Sequence, residues 1–218
     1  MDKRNLVPET IRNNVPFLQG DGGSGTVNDD SERAAPRRKD ARRNKENLLD
    51  AAAAVFVTKG VEAPVRDIAA EAGVGLGTIY RHFPTRSDLI IAVYRHQVDA
   101  CAEAGPALLA SSATAHAALE RWISLFVDFL VTKHGLAGVL QSDNSGFDTL
   151  HAYFLDRLVP VCTQLLDAAA AAGEIRSGVG AYELMRGVGN LCIGADSDPD
   201  YDPRRLVGVL IAGLRLRG

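Results

Sequence analysis

The chain has 218 residues, of which 46% are apolar, 6% aromatic and 23% charged; this is long enough to bury a core in one or two domains, and the balance suits helices better than strands. Its longest apolar runs, residues 51–57 and 207–214, are far shorter than the roughly 20 residues of a membrane-spanning helix, and no signal peptide is expected, because no apolar segment follows the N-terminal charges. Three cysteines, Cys101, Cys162 and Cys192, lack CxxC spacing and point to a reduced, cytoplasmic protein.

The net charge of −3 is unevenly spread: residues 1–32 carry −3, residues 33–96 carry +5 and residues 97–218 carry −5. A basic module attached to an acidic body predicts a polyanionic partner for the module alone. Residues 1–39 contain QGDGGSGTVNDDSER, which offers little apolar surface to bury, and read as a flexible tail. The basic run that ends it, from Arg33 through Arg37, Arg38 and Lys39 to Arg42, Arg43 and Lys45, is either a solubilising segment or an arm that grips phosphates or reaches into a minor groove.

Periodic structure follows in residues 40–96. Leu48, Leu49, Ala52, Val55 and Phe56 form one stripe of an amphipathic helix that Gly60 stops. Pro64 favours the start of a second helix, Val65–Ala72, and a third, Leu76–His82, closes at Phe83-Pro84. Two short helices joined at Gly73 make a helix-turn-helix at about residues 64–83, whose second helix would enter a DNA major groove. Gly73 permits the left-handed conformation that ends the first of them. Gly75 and Gly77 keep the second slim where it would approach phosphates. Ile68, Val74, Ile79 and Phe83 are the apolar wedges. A longer helix through Leu89, Ile90, Val93, Tyr94 and Val98 is expected to stop at Gly105-Pro106.

The remainder, residues 97–218, reads as long helices with short joints. One runs through Leu119, Trp122, Ile123, Phe126 and Leu130; a short piece lies at 136–140; and Ser145 is placed to cap a helix ending near Gly173. Leu184, Val188 and Leu191 mark the next. Asp202-Pro203 opens the last, with Leu206, Val209, Leu210, Gly213 and Leu214 on one face. No segment argues for a strand, so the fold class is all-α.

The stretch VRDIAAEAGVGLGTIYRHFPTRSDLI, residues 65–90, resembles the DNA-binding signature of the tetracycline-repressor (TetR) family of transcriptional regulators, and the likeness extends back to residue 47. The resemblance implies a dimeric repressor bound to a double-stranded, near-palindromic operator and released by a small-molecule effector. It puts Thr78 on a phosphate or base edge, Tyr80 and His82 on the DNA backbone, and Gly75, Leu76 and Gly77 at base edges. Arg81 either contacts DNA or pairs with a carboxylate such as Asp67. Arg86 falls where the family commonly has a phosphate-binding cation; Arg43, Lys45 and Arg66 are further candidate DNA contacts. Because Gly75-Leu76 stands where polar readers often do, specificity is expected to lean on DNA shape and on the basic arm.

The last two long helices are expected to form the homodimer interface. Gly187, Gly189, Gly208 and Gly213 each cost about 1 kcal/mol in a helix interior, which either close approach of a second chain or packing within one chain explains. The body is expected to hold an effector cavity lined by the fourth to eighth helices, with His96, Cys101, Trp122, Phe126, Phe129, His134, Phe147, His151, Phe154 and Asn190 as candidates. Each of these is either a ligand contact or ordinary core. Their apolar and aromatic bias suggests a hydrophobic or aromatic effector, and Phe147 with His151, four apart, is the leading pair. Two other readings remain open: a regulator controlled by a partner protein, and a helical-bundle metal enzyme. For the enzyme, Asp148 and His151 supply one i, i+3 pair, but no second pair, HExxH, CxxC or phosphate-binding glycine motif accompanies it. No cofactor, metal, catalytic residue or membrane contact is expected.

Overall fold

The computed structural model describes the backbone of residues 29–140, 144–193 and 200–216, and the side chains of 42–130, 148–193 and 200–216. The described residues form eight helices: α1 (Asp29–Lys59), α2 (Val65–Ala72), α3 (Leu76–His82), α4 (Arg86–Ser111), α5 (Ala115–Leu140), α6 (Asn144–Ala171), α7 (Ala181–Cys192) and α8 (Pro203–Ala212). The all-α class holds. The nearest approach to a sheet is one isolated antiparallel bridge, Ile175 to Arg215.

The N-terminal unit is built on the expected wedges. Ile68, Ile79 and Phe83 are buried against Leu48, Leu49, Ala52, Val55 and Phe56 of α1, and Val74 packs at the edge of the same cluster. α4, α5 and α6 make the centre of the body, with α7 and α8 on its flank. The end of the chain is tied back: Arg176 N–H donates to Leu214 O and Leu216 N–H to Glu174 O. Glu174 Oε2 also accepts from the backbone N–H of His116 at 2.6 Å. The His116 ring is buried, with Nε2 3.3 Å from Ile211 O.

Several boundaries differ from the sequence reading. α1 begins at Asp29, inside the expected tail; residues 33–43 are rich in Ala, Arg and Lys, which propagate a helix well. The side chains of Arg33, Arg37, Arg38 and Lys39 lie outside the described residues. α4 passes through Gly105-Pro106 to Ser111, so it also crosses the boundary expected after residue 96. A Cβ on Gly105 would overlap Val161 Cγ1, so the glycine lets α6 press against α4 at that point. The continuity of α4 is held from outside, by α5 and α6. α5 likewise continues to Leu140, absorbing the short piece expected at 136–140, and Ser145 falls within the first turn of α6. Asp202 caps α8 as expected, its carboxylate accepting from Arg204 N–H at 3.0 Å. The expected single face of α8 divides: Val207, Ile211 and Leu214 face the core, whereas Leu206, Val209 and Leu210 are exposed. Gly213 is the C-cap of that helix, not part of its interior.

Candidate nucleic-acid interface

α2 ends at Gly73, whose φ of 65° is left-handed; Val74 N–H then donates to Ala69 O at 3.0 Å, satisfying a terminal carbonyl. Gly75, extended, caps α3. With only Ile79 of α3 buried, the rest of this helix faces outward: Leu76, Gly77, Tyr80, Arg81 and His82 are exposed and Thr78 is half-buried. Tyr80 is 52% exposed, although a tyrosine usually shelters its ring. A Cβ placed on Gly75 or on Gly77 would meet nothing within 4 Å. Among the described residues, nothing in the chain itself therefore requires glycine at either position.

The cations around α3 divide by environment. Arg66 is exposed and approaches Asp67 at 3.7 Å. Asp67 is held mainly by Lys59 Nζ at 2.9 Å, and that hydrogen bond keeps its carboxyl below the ordinary value. The pairing of Arg81 with Asp67 is thus not made, and among the described residues Arg81 has no ion pair. Arg43 is exposed on α1. Lys45 is exposed too, with Nζ 5.8 Å from the centre of the Phe83 ring.

Arg86 reaches into its own chain. Its guanidinium turns inward, Nη2 donating to the carbonyls of Val61 and of Ala63, the latter at 2.8 Å. Nε lies 4.0 Å from Glu62 Oε2 and has no hydrogen-bond partner. Nη2 is thus committed to the α1–α2 loop. Beside it, Thr85 and Asp88 form a capping box at the start of α4. Both donors of Thr85 reach Asp88 Oδ2, and this lowers the Asp88 pKa.

In the body, the aromatic candidates close on one another. Trp122 stacks on Phe126 at 5.7 Å, and Phe126 and Phe129 both stack on Phe154 at 5.9 Å. Tyr94, not among the sequence candidates, completes the cluster against Phe129 at 5.5 Å; its place in the apolar stripe of α4 was the signal available for it. Trp122 is fully buried and donates to Cys101 O at 2.9 Å. Cys101 is buried beside them, and burial pushes its thiol, like that of Cys162, up to about 12.

Three candidates do not belong to this interior. His96 bonds Asp50 at 2.8 Å across α1 and α4. His151 is exposed one position beyond the buried Leu150, although its ring stacks on Phe154 at 5.9 Å. Asn190 is exposed because it falls between the buried Val188 and Cys192. Phe147 and His134 lie outside the described side chains, so the pair expected of Phe147 and His151 does too.

Residues 48–93 match the sequence model of bacterial regulatory proteins of the tetR family, and residues 114–216 that of the SbtR-like transcriptional regulator C-terminal domain. An HTH-type transcriptional regulator of Staphylococcus aureus is 41% identical over 63 residues, 28% of this chain and 34% of that protein. The match thus spans about a third of the length of the curated relatives. Across the whole fold the chain is similar to a TetR transcriptional regulator from Streptomyces coelicolor, 35% identical with a TM-score of 0.67, covering 79% of this chain and 98% of that one. It is also similar to a TetR transcription regulatory protein from Mycobacterium vanbaalenii, 31% identical with a TM-score of 0.62, covering 83% and 100%. With a helix-turn-helix whose outer face is left bare, and with both regions of the chain matched, this protein belongs to the TetR family of DNA-binding transcriptional regulators, which are not enzymes.

Proposed function

We propose that the chain is a homodimeric repressor that holds a near-palindromic operator through two copies of α3, in the compartment where the DNA lies, and leaves it when a small hydrophobic or aromatic effector binds. The observation that carries this reading is the outer face of α3, where Tyr80, Arg81 and His82 stand exposed beside two glycines whose outward side meets nothing within 4 Å among the described residues. In this arrangement the two glycines let the helix backbone come close to DNA, and Thr78, Tyr80, Arg81 and His82 grip phosphates or base edges. Arg43 and Arg66, exposed on α1 and α2, extend the same basic surface.

A dimer through α7 and α8 is supported by their outer faces. Tyr182, Ile193, Leu206, Val209 and Leu210 are exposed, Val209 at 67%. A Cβ on Gly187, Gly189 or Gly208 would meet nothing within 4 Å among the described residues, which supports close approach of a second chain over packing within one. Operator selection from random DNA should return inverted half-sites about 34 Å apart, centre to centre. Tyr80→Phe should weaken binding to all selected sequences alike; recovery of a single unrepeated half-site would refute the two-fold arrangement. The closed aromatic cluster of the body favours one alternative, control by a partner protein in place of an effector. Operator affinity that stays constant across a panel of hydrophobic and aromatic compounds would decide for that alternative.

A further inference from the structure

A groove of about 430 Å³ lies outside the aromatic cluster, between α1 and α4. Each helix offers it one stripe, residues 42, 45, 46 and 49 on α1 and residues 88, 91, 92, 95, 96 and 99 on α4, with Phe83 between them. The stripes follow helical spacing, so the groove belongs to the way the two helices face each other and not to a chance dent. Its floor is apolar: Leu49 and Phe83 are buried, and Ile91 and Ala92 are half-buried.

The rim carries three cations, Arg42, Lys45 and Arg95, and three carboxylates, Glu46, Asp88 and Asp99, so its formal charge is zero with His96 neutral, but the two signs are engaged differently. Every carboxylate there already has a partner in the chain. Glu46 pairs with Arg42 at 3.0 Å, and Asp88 accepts from Thr85 at 2.7 Å. Asp99 Oδ1 accepts from Tyr153 Oη at 2.7 Å and from Arg157 Nε at 2.8 Å. Of the basic groups, Arg42 is used by Glu46 and His96 by Asp50. Lys45 and Arg95 are exposed and have no ion pair among the described residues; they lie against ring faces, Lys45 5.8 Å from Phe83 and Arg95 5.1 Å from Tyr153. A ring face holds the cation in place while leaving its N–H donors free for an anion. The rim groups with hydrogen-bonding capacity to spare for an anion are therefore two cations, Lys45 and Arg95, one from each helix, above an apolar floor.

We propose that this groove binds an amphipathic organic anion, a small molecule with a carboxylate, sulfonate or phosphate head and an aromatic or aliphatic body. The head is held between Lys45 and Arg95 and the body lies on Leu49, Phe83 and Ile91. The volume suits a small ligand. Such an anion fastens α1 to α4, so it sets the angle between the helix-turn-helix and the body. This site is separate from the aromatic interior, and its binding is measured without any operator, so its failure leaves the repressor reading standing.

The test is calorimetric titration of the full chain with naphthalene-1-sulfonate, with naphthalene-1-methanol as the neutral counterpart and inorganic sulfate as the charge without a body. The expected result is one sulfonate per chain, bound at least about tenfold more tightly than either control, and weakened about tenfold by Lys45→Gln and by Arg95→Gln, since each removes one charge-assisted contact. Arg121→Gln, exposed on α5, should leave it unchanged, and circular dichroism should show all three variants folded. Sulfate binding as tightly as the sulfonate, or loss of sulfonate affinity equally in Arg121→Gln, overturns the site. So does a Lys45→Gln protein that binds the sulfonate normally and the operator poorly, which would put Lys45 on the DNA backbone.

Discussion

Replacing Arg86 separates a clasp from a phosphate contact. The side chain is 31% exposed and spans from the first turn of α4 to the carbonyls of Val61 and Ala63, both in buried residues. Arg86→Ala removes the donor from both carbonyls; hydrogen bonds from a charged group contribute about 1.5–3 kcal/mol each. Water can reach the exposed part of the site and replace some of that, so the net loss should be about 2–3 kcal/mol. In a chain of this size about 1 kcal/mol corresponds to 2–4 °C, so Tm should fall by about 5–10 °C. Arg86→Lys keeps the charge but loses the fork that spans two carbonyls, and should recover less than half of the loss. Thermal unfolding followed by far-UV circular dichroism, at one protein concentration, measures this. The salt dependence of operator binding supplies the second readout: losing a phosphate contact would lower the log–log slope by about 0.9 per protomer, whereas losing a clasp leaves it unchanged. An unaltered Tm in Arg86→Ala together with a shallower slope, restored by lysine, would refute the clasp.

Gly105→Ala should destabilise by about 1–2 kcal/mol, the overlap with Val161 outweighing the helix propensity gained; adding Val161→Ala should recover part of it, and a chemical-denaturation double-mutant cycle reads the coupling. Val209→Lys puts a charge on the exposed α8 face and should shift sedimentation from dimer to monomer while the far-UV spectrum keeps its shape. Thr85→Ala should cost about 1 kcal/mol near neutral pH through the lost cap. Because Thr85 holds the Asp88 carboxyl below its ordinary 3.8 in the folded chain, the carboxylate's contribution is complete above that value and is lost as pH falls through the lowered one. The stability gap between wild type and Thr85→Ala should therefore narrow on acidification below about pH 4, measured by denaturant midpoints.

What was legible in the sequence followed periodicity and punctuation. Ile68, Ile79 and Phe83 were readable as wedges because apolar residues at helical spacing have one place to go, and Gly73 was readable as a turn because few other residues take its φ. The errors came where tertiary contact overrides local preference. Gly105-Pro106 looks like a stop, yet the close approach of α6 needs a glycine there, so the helix runs on. Arg86 looks like a surface cation; two carbonyls 23 and 25 residues earlier in the chain claim it, and no local pattern announces them. His96 lines the α1–α4 groove and not the aromatic interior, because Asp50, 46 residues away, holds it there. Aromatic content alone could not tell a filled cluster from the lining of a cavity.

The contacts along α4 change in kind from one end to the other. Around residues 101–108 the helix is locked by shape: Cys101, Ala102 and Leu108 are buried, Gly105 meets Val161, and the Trp122 indole donates to Cys101 O. From Arg86 to Asp99 its outer side is held instead by polar contacts, Arg86 on the α1–α2 loop, His96 with Asp50, and Asp99 with Tyr153 and Arg157. Interlocked apolar contacts resist sliding, whereas exposed polar contacts exchange with water at little cost. Leu89, Ile90, Val93, Tyr94 and Val98 keep the inner face of this half packed, so a tilt of α4 about Gly105 would be taken up by the polar contacts of the outer side. From Gly105 to Arg86 the helix is about 28 Å long at 1.5 Å per residue, so a tilt of about 10° displaces Arg86 by about 5 Å. The α1–α2 loop is clasped to Arg86 and would travel with it, carrying α2 and α3. In a dimer the two displacements change the separation of the recognition helices, which must match half-sites about 34 Å apart. On the proposed repressor reading, substitutions that loosen the polar contacts of α4 between Arg86 and Asp99 should alter operator affinity without touching α3, which operator titration of His96→Ala measures.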